Sequence, residues 1–207
     1  MQVEVQKRAR SACTTFKALK SEWDEVRGEA QDAMTVFANA NLELRTVDDL
    51  SFPETLSEVD VREALRAKRN AAFEAADKRL DERRADVEEI RRDFEKLANV
   101  EKYFASSIVD YPDDGALFRT MTFKSFRRAF SAVAQTFVDD LKAKEKIMDK
   151  LSATKDDRSA ALVLISAFAL DPLIEQVSLA QSVDRAQTQK STPTRRSDRP
   201  SSPKACP

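Results

Sequence analysis

The sequence predicts an all-α protein: an elongated antiparallel helical bundle or coiled coil of three long helices, one or two short C-terminal helices, and a disordered C-terminal tail. Apolar residues recur at alternating steps of three and four, which is the spacing of a helical seam. Charged residues make up 34% of the chain, and only two glycines are present, fewer than sheets with tight turns require. We therefore expect one helical domain over residues 1–186 and a separate tail over 187–207.

The first long helix is predicted from about Gln6 to about Arg45, a rod of about 60 Å. Its apolar seam consists of Phe16, Leu19, Trp23, Val26, Ala30, Ala33, Phe37, Ala40 and Leu44. So regular a stripe requires a partner surface. Pro53 marks the connector that follows, because proline biases the preceding residue away from helical geometry.

The second helix opens with Ser57, whose hydroxyl is a favourable N-cap. Its seam consists of Phe73, Ala76, Leu80, Arg83, Val87, Ile90, Phe94, Leu97, Glu101 and Phe104. Arg83 and Glu101 interrupt the apolar stripe, and polar seam residues often fix the register between helices. The two seams are thus able to pair with each other.

A turn over Tyr111–Gly115 precedes the third helix, because proline ends a helix and Asp-Gly favours a turn. This third helix is predicted to begin near Thr122. Its seam consists of Phe123, Phe126, Phe130, Val133 and Phe137, and continues through Leu141, Ile147 and Leu151. Four phenylalanines on one face bury a large apolar area.

Thr154 is predicted to cap a fourth helix with Asp157 in its first turn. The apolar run 160–170 is shorter than the ~20 residues that cross a bilayer, so we interpret it as a buried helix and expect no membrane segment. Asp171 and Pro172 are suited to the N-cap and first position of a further short helix. That helix would carry Leu173, Ile174 and Val177.

Composition argues against an enzyme and against a bound cofactor. The chain has no histidine and two cysteines, which excludes the usual zinc sites, and two glycines do not supply a nucleotide-binding loop. The absence of a disulfide framework favours a reducing cytosolic or nuclear compartment. We therefore expect no catalytic, cofactor-binding or metal-binding residues.

The net charge of −1 gives no general reason to expect nucleic acid. Arg119, Lys124, Arg127 and Arg128 cluster near the start of the third helix, but no aromatic interleaving or reader motif accompanies them. We interpret the cluster as a solvated face and expect no direct contact with nucleic acid.

The tail beyond about Ala186 is rich in serine, threonine, proline and arginine and cannot fold alone. Thr192 is followed by proline and, two places later than that proline, by Arg195, a pattern preferred by cyclin-dependent kinases. Ser202, before Pro203 and Lys204, is a weaker proline-directed site. Both are candidate phosphorylation sites, at which about −1.5 to −2 charges would be added.

Two segments, 117–126 (LFRTMTFKSF) and 168–175 (FALDPLIE), resemble the cyclin-dependent kinase-interacting protein (CINP) family. The stretch around Phe16 and Trp23 is similar as well, and the resemblance covers residues 12–45 and 90–176. The chain has Met121 and Phe168 where the family pattern has tryptophan.

The resemblance implies a nuclear, non-catalytic adaptor in DNA replication, the cell cycle, DNA repair and DNA-damage checkpoint signalling. Its implied partners are cyclin-dependent kinase, the replication-initiating kinase, a checkpoint kinase complex, and a AAA ATPase with a small coiled-coil subunit that acts in ribosome maturation. The candidate partner-binding residues are Trp23, Phe118, Thr120, Phe123, Phe126, Phe130, Phe168, Pro172 and Glu175.

An alternative function is a structural coiled-coil subunit of a cytoskeletal or kinetochore-type complex, which the seams alone support. The seams either close within the chain or bind helices of another chain, and a homo- or hetero-oligomer remains open.

Overall fold

The computed structural model describes residues 2–51, 58–104, 111–118, 121–154 and 157–170. Of these residues, 87% are helical, which confirms the prediction of a mostly helical protein. The elements are α1 (Gln2–Arg45), α2 (Glu58–Ala98), α3 (Val100–Phe104), β1 (Ala116–Phe118), β2 (Met121–Thr122), α4 (Phe123–Ala153) and α5 (Arg158–Ala169).

Helices α1 and α2 lie side by side with opposite chain directions. The rings of Phe16 and Phe94 are 5.4 Å apart, and near the other end of the pair the rings of Phe37 and Phe73 are also 5.4 Å apart. Arg83 forms an ion pair with Glu29 across the two helices. The polar residue predicted on the second seam therefore does contact the first helix.

Helices α2 and α4 also run in opposite directions. The Phe94 and Phe137 rings stack at 4.9 Å, and Arg91 Nε lies 2.7 Å from Glu145 Oε1 further along α4. The seam of α4 passes through Lys144 and Met148, both buried, whereas the sequence placed Ile147 on it. Ile147 is only partly buried because Met148 continues the spacing of three and four more closely.

The apolar faces of α1, α2, α4 and α5 meet in one cluster, the main core. Its large buried members include Trp23, Leu80, Ile90, Phe94, Phe137, Leu141, Met148 and Phe168. Helix α5 packs on α1 and α4 through Ala161, Ile165 and Phe168. It begins beside the C-terminal end of α1 and ends beside Trp23.

Asn99 separates α2 from α3, where the sequence had predicted one helix with a seam through Phe104. The Asn99 Oδ1 atom accepts a hydrogen bond from the Lys102 backbone N–H at 3.2 Å. Asparagine is a favourable N-cap, so its side chain caps the start of α3. Ser57 and the Glu101 side chain lie outside the described residues.

The predicted turn before α4 closes through the Gly115 N–H, which donates to the Pro112 carbonyl oxygen at 2.8 Å. A Cβ atom at position 115 would lie 2.7 Å from Tyr111 Cε1, so this turn requires glycine. Strands β1 and β2 follow as an antiparallel pair, with Ala116 opposite Thr122. The prediction of an all-α chain was wrong here, because strands of three and two residues are too short to show a periodic pattern.

A second cluster, the hairpin core, lies beneath this strand pair. It contains Val5, Ala9, Ala12, Val100, Phe104, Leu117, Phe123 and Phe126. Side-chain Nε2 atoms of Gln2 and Gln6 donate to the carbonyl oxygens of Ala116 and Leu117 at 2.9 and 2.7 Å. The N-terminal turns of α1 thus hold the outer edge of β1.

The ends of α4 and α5 use three polar caps. Thr122 caps α4, as expected from the predicted start, and its hydroxyl accepts from the Ser125 N–H at 3.2 Å. Thr154 closes the C-terminus of α4, whereas Asp157 caps α5 by accepting from Ser159 N at 2.8 Å. The predicted capping role of Thr154 for α5 was wrong, because the Thr154 N–H still donates to the Lys150 carbonyl oxygen of α4, whereas Asp157 directly precedes the first residue of α5.

Candidate partner-binding surfaces

Four of the predicted partner-binding aromatics are buried. Trp23, Phe123, Phe126 and Phe168 are 1%, 1%, 6% and 0% exposed. Trp23 and Phe168 are in contact, with ring centroids 6.3 Å apart, and Phe123 and Phe126 belong to the hairpin core. In this conformation the four rings hold helices together and present little surface to a partner.

Lys144 joins the Trp23–Phe168 contact to the end of α5. Its ammonium group is buried, lies 5.8 Å from the Trp23 ring and 5.1 Å from the Phe168 ring, and donates to the Phe168 and Leu170 carbonyl oxygens at 2.6 and 2.7 Å. A cation at a helix C-terminus interacts favourably with the dipole and with the free carbonyls. Lys144 therefore fixes where α5 ends.

The Lys144 ammonium also faces Asp140, with Nζ 3.7 Å from Oδ2, and both side chains are buried. A buried ion pair is costly to break, because removing one partner leaves the other charge desolvated. The nearby Trp23 Nε1 has no hydrogen-bond partner among the described residues. The site is thus an ionic anchor inside the apolar core.

Phe126 and Phe130 stand at the edge of the core, stacked at 5.5 Å. With residues of α1 they form the α1/α4 groove, an open apolar cavity of about 260 Å³. The groove is lined by Cys13, Phe16, Phe126, Ala129, Phe130 and Val133. Phe118, the remaining described candidate, is half-buried and packs 6.3 Å from the Phe126 ring.

Cys13 lies in the wall of this groove. Burial raises the pKa of its thiol above the ordinary value, and the charge of Lys17 offsets part of that rise. A thiol with a raised pKa carries less thiolate at neutral pH and reacts slowly. Cys13 is therefore a weakly reactive thiol, and its alkylation rate measures how accessible the groove is.

Five candidates from the sequence lie outside the described residues. They are Thr120, Pro172, Glu175, Thr192 and Ser202. Their predicted roles in partner binding and phosphorylation stay predictions.

The outer side of α5 is a surface that the sequence reasoning missed. Leu162, Val163 and Leu170 are 55%, 67% and 64% exposed, although the run 160–170 had been interpreted as a buried helix. Among the described residues, α5 is covered on its inner side, where Ala161, Ile165 and Phe168 are buried. A helix that is apolar on all sides normally needs neighbours on all sides. The all-apolar composition of α5 was therefore the sequence signal that its outer face needs a further neighbour.

Exposed Leu42 of α1 lies beside this face. Leu42 and Leu162 line the same small cavity of about 80 Å³ between the end of α1 and the start of α5. We call Leu42, Leu162 and Val163 the α5 face. It is an apolar surface with a shallow depression at one end.

The basic residues at the start of α4 form a different surface. Lys124, Arg127 and Arg128 line an open cavity of about 420 Å³ beside Asn99 and Ser131. The Arg127 guanidinium lies over the Phe123 ring at 5.3 Å and 3.9 Å from Asp113. Arg127 therefore has partners on the protein itself, and Arg119 of the predicted cluster lies outside the described residues.

In the part of the chain that the structure describes, no group of three or more histidine, cysteine, aspartate or glutamate side chains is placed to hold a metal ion. None of the described helices has both the length and the apolar character needed to cross a membrane.

Comparison of the chain with protein-family models, with curated proteins and with solved structures finds no match. The resemblance of residues 117–126 and 168–175 to the CINP family therefore stays a prediction from sequence.

Proposed function

We propose that the protein is a non-catalytic adaptor that binds a helical segment of a protein partner through the α5 face. The single observation that carries this proposal is the exposure of Leu162 and Val163 on a helix whose opposite side is already buried. Burying a large aliphatic side chain contributes about 1.5–3 kcal/mol. A partner helix that packs on the α5 face would gain this free energy by removing Leu162 and Val163 from water. Amphipathic helices bind apolar grooves of other proteins in the same way.

The anchor at Lys144 supports the same proposal. Lys144 holds the last carbonyl groups of α5 through two hydrogen bonds, so the helix is fixed at its end while its outer side stays accessible. A rigid, preformed binding helix loses less entropy on association than a mobile one. The face is therefore preorganised for a partner.

For the helices themselves we propose an elongated antiparallel bundle with coiled-coil seams. Support comes from the opposite directions of α1 and α2, the opposite directions of α2 and α4, and the Arg83–Glu29 ion pair at a seam position. Helix α1, with 44 residues, would make such a body about 66 Å long. This is a suitable shape for a scaffold that separates two binding surfaces.

The proposed partners are those implied by the sequence resemblance. They are cyclin-dependent kinase, the replication-initiating kinase, a checkpoint kinase complex, and a AAA ATPase with its small coiled-coil subunit. The proposed setting is the nucleus, in DNA replication, checkpoint signalling, DNA repair and ribosome maturation. Thr192, in a pattern that cyclin-dependent kinases prefer, supports the kinase connection.

The test is quantitative affinity purification from nuclear extract with the tagged full chain. Leu162→Glu/Val163→Glu places two charges on the α5 face without touching the buried side of the helix. We expect the wild-type chain to recover one of the named kinase or ATPase assemblies. The variant should recover at least about tenfold less of it, because a tenfold loss of affinity requires only ~1.4 kcal/mol of binding free energy.

The matched control is Val3→Glu/Ala85→Glu, which adds the same two charges at exposed positions on the first turn of α1 and on α2. Circular dichroism should give equal helix content for both variants. Recovery of none of the named assemblies by the wild-type chain contradicts the adaptor proposal, and equal recovery by variant and control contradicts the assignment of the α5 face.

A further inference from the structure

The α1/α4 groove continues the seam in which α5 lies. Helix α5 starts beside Leu42 and Leu151 and ends at Trp23 and Lys144, so it runs toward the low-numbered ends of both α1 and α4. Beyond that end, the same two helices approach each other through Phe16, which lies 5.2 Å from the Phe137 ring and 5.8 Å from the Phe130 ring. Here the seam is open and apolar, and it forms the groove.

The last described residue after α5 lies at the end of α5 nearest this opening. The Leu170 carbonyl is held at 2.7 Å by Lys144, which fixes the starting point of the residues that follow. Eleven residues separate Lys144 from Val133 on α4, a distance of about 16 Å along the helix. Residues 171–181 are also eleven in number and would span about 16 Å as a helix.

The composition of residues 171–181 fits the groove. Asp171 and Pro172 are suited to start a helix, and Leu173, Ile174, Val177 and Ala180 then fall on one side of it. The groove is lined by aromatic and aliphatic side chains, by the thiol of Cys13 and by Lys17. An apolar stripe of matching length thus follows directly upon an open apolar seam.

We propose that the α1/α4 groove is the docking site for the chain's own segment 171–181, which prolongs the path of α5 along the seam. This proposal goes beyond the adaptor function and does not depend on it. The docked segment covers the half-buried Phe130 and the edge of Phe126 that lines the groove, so a partner that binds Phe130 has to displace the segment first.

The primary test measures the alkylation rate of Cys13 in the full chain, with Cys206→Ser leaving a single thiol. Leu173→Asp/Ile174→Asp removes the apolar side of the segment and should raise the rate about tenfold, because access governs the reactivity of a thiol. The matched control, Ser178→Asp/Ser182→Asp, adds two charges away from the apolar side of the segment. Its Cys13 alkylation rate should stay within about twofold of the rate in the protein with the unsubstituted segment. Equal rates in the variant and the control overturn the proposal.

Cross-linking identifies the occupant directly. A photoreactive phenylalanine analogue at position 177 should cross-link within residues 13–17 or 121–133 of the same chain, with a yield that does not change on dilution. Cross-links to Leu162 or Val163 overturn the proposal, since the segment then folds back over the α5 face. Cross-links that disappear on dilution overturn it in favour of a second copy of the chain.

A change on the groove side provides the reciprocal test. Ala129→Arg fills the groove from an exposed position without disturbing a buried side chain, and Ala132→Arg is the control, one turn along on the exposed surface of α4. The proposal requires that the cross-link from position 177 is lost in the Ala129→Arg protein and kept in the Ala132→Arg protein, with unchanged helix content in both. Equal yields in the two proteins contradict it.

Discussion

The main core and the hairpin core are built from different kinds of contact. In the main core, long helices bring side chains together through a repeated spacing, as in the stack of Phe94 on Phe137. In the hairpin core, the short elements α3 and β1 and the start of α4 meet the first turns of α1. Gln6 donates to the Leu117 carbonyl oxygen of β1, 111 residues away in the sequence. One core follows from periodicity, and the other follows from individual long-range contacts.

The difference concerns cooperativity. Each residue of the main core belongs to a helix of 31 residues or more, apart from those of α5. We therefore expect a local defect to destabilise the packing along the whole length of these helices. The hairpin core is closed by strands of three and two residues and by a turn that depends on Gly115. We expect the hairpin core to open locally while the main core unfolds as a unit.

Phe94→Ala should have the largest effect. The Phe94 side chain is fully buried and contacts the rings of Phe16 and Phe137, so its truncation should lower the free energy of unfolding by about 3–5 kcal/mol. Urea denaturation followed by helical circular dichroism measures this loss. Leu162→Ala on the exposed α5 face is the control and should change stability by less than about 0.5 kcal/mol. A loss below about 1 kcal/mol at Phe94 would show that the seam is not the stabilising core.

Lys144→Met tests the polar anchor within the main core. The substitution leaves Asp140 buried without its cation and releases the last carbonyl groups of α5, at a cost of about 3 kcal/mol. Trp23, the single tryptophan, contacts Phe168, so its fluorescence should shift to longer wavelength as α5 separates. Lys142→Met, at an exposed position, is the control.

Asp140→Leu/Lys144→Met should recover part of the stability, because it removes both charges together. An unshifted tryptophan spectrum in Lys144→Met would contradict the anchoring role.

Leu117→Ala tests the local character of the hairpin core. Leu117 is the central residue of β1 and is fully buried in the hairpin core, so its truncation should cost about 2–3 kcal/mol. Hydrogen exchange followed by mass spectrometry should show faster exchange in residues 116–126 and in the first turns of α1, with residues 73–97 of α2 still protected. Uniform acceleration along the chain would mean that the two cores unfold as one.

Periodicity is the reason why much of the main core could be predicted. The buried series from Leu80 through Phe94 to Leu97 follows the predicted seam of α2. Both ends of α1 lie within four residues of the predicted ones, and α4 begins one residue after the predicted Thr122. Lys144 escaped prediction because a lysine at a seam position gives no apolar signal, and its partners are carbonyl groups from a different helix.

The candidate surfaces were less predictable than the core. Trp23 and Phe168 were singled out for partner binding, but the structure buries both, because a large aromatic ring on a seam is equally suited to the core. Val163 was assigned to a buried helix, and it is exposed because the described elements that contact α5, which are α1 and α4, pack on its other side. Periodicity reveals that a face is apolar, but it does not reveal what covers that face.

Glu95→Gln should have the smallest effect, at the ionic rim of the main core. Desolvation raises the pKa of Glu95, but hydrogen bonds from Lys142 and Arg91 outweigh it and hold that pKa below the ordinary value. A carboxylate with a lowered pKa stabilises the fold above its unfolded-state pKa, and this contribution is lost as pH falls through the lowered value. At neutral pH the free energy of unfolding of the wild-type protein should therefore exceed that of the variant by at most about 1 kcal/mol, because Glu95 and Lys142 are partly exposed.

That advantage should disappear in acid, where Glu95 becomes protonated. Urea midpoints at neutral pH and below the lowered pKa measure it, with Glu82→Gln, which faces only the more distant Lys78 at 3.9 Å, as the control. An advantage that persists in acid would assign the effect to packing of the side chain and not to its charge. Loss of the advantage would show that the ionic rim adds a small, pH-dependent increment to a core whose stability comes from its aromatic seam.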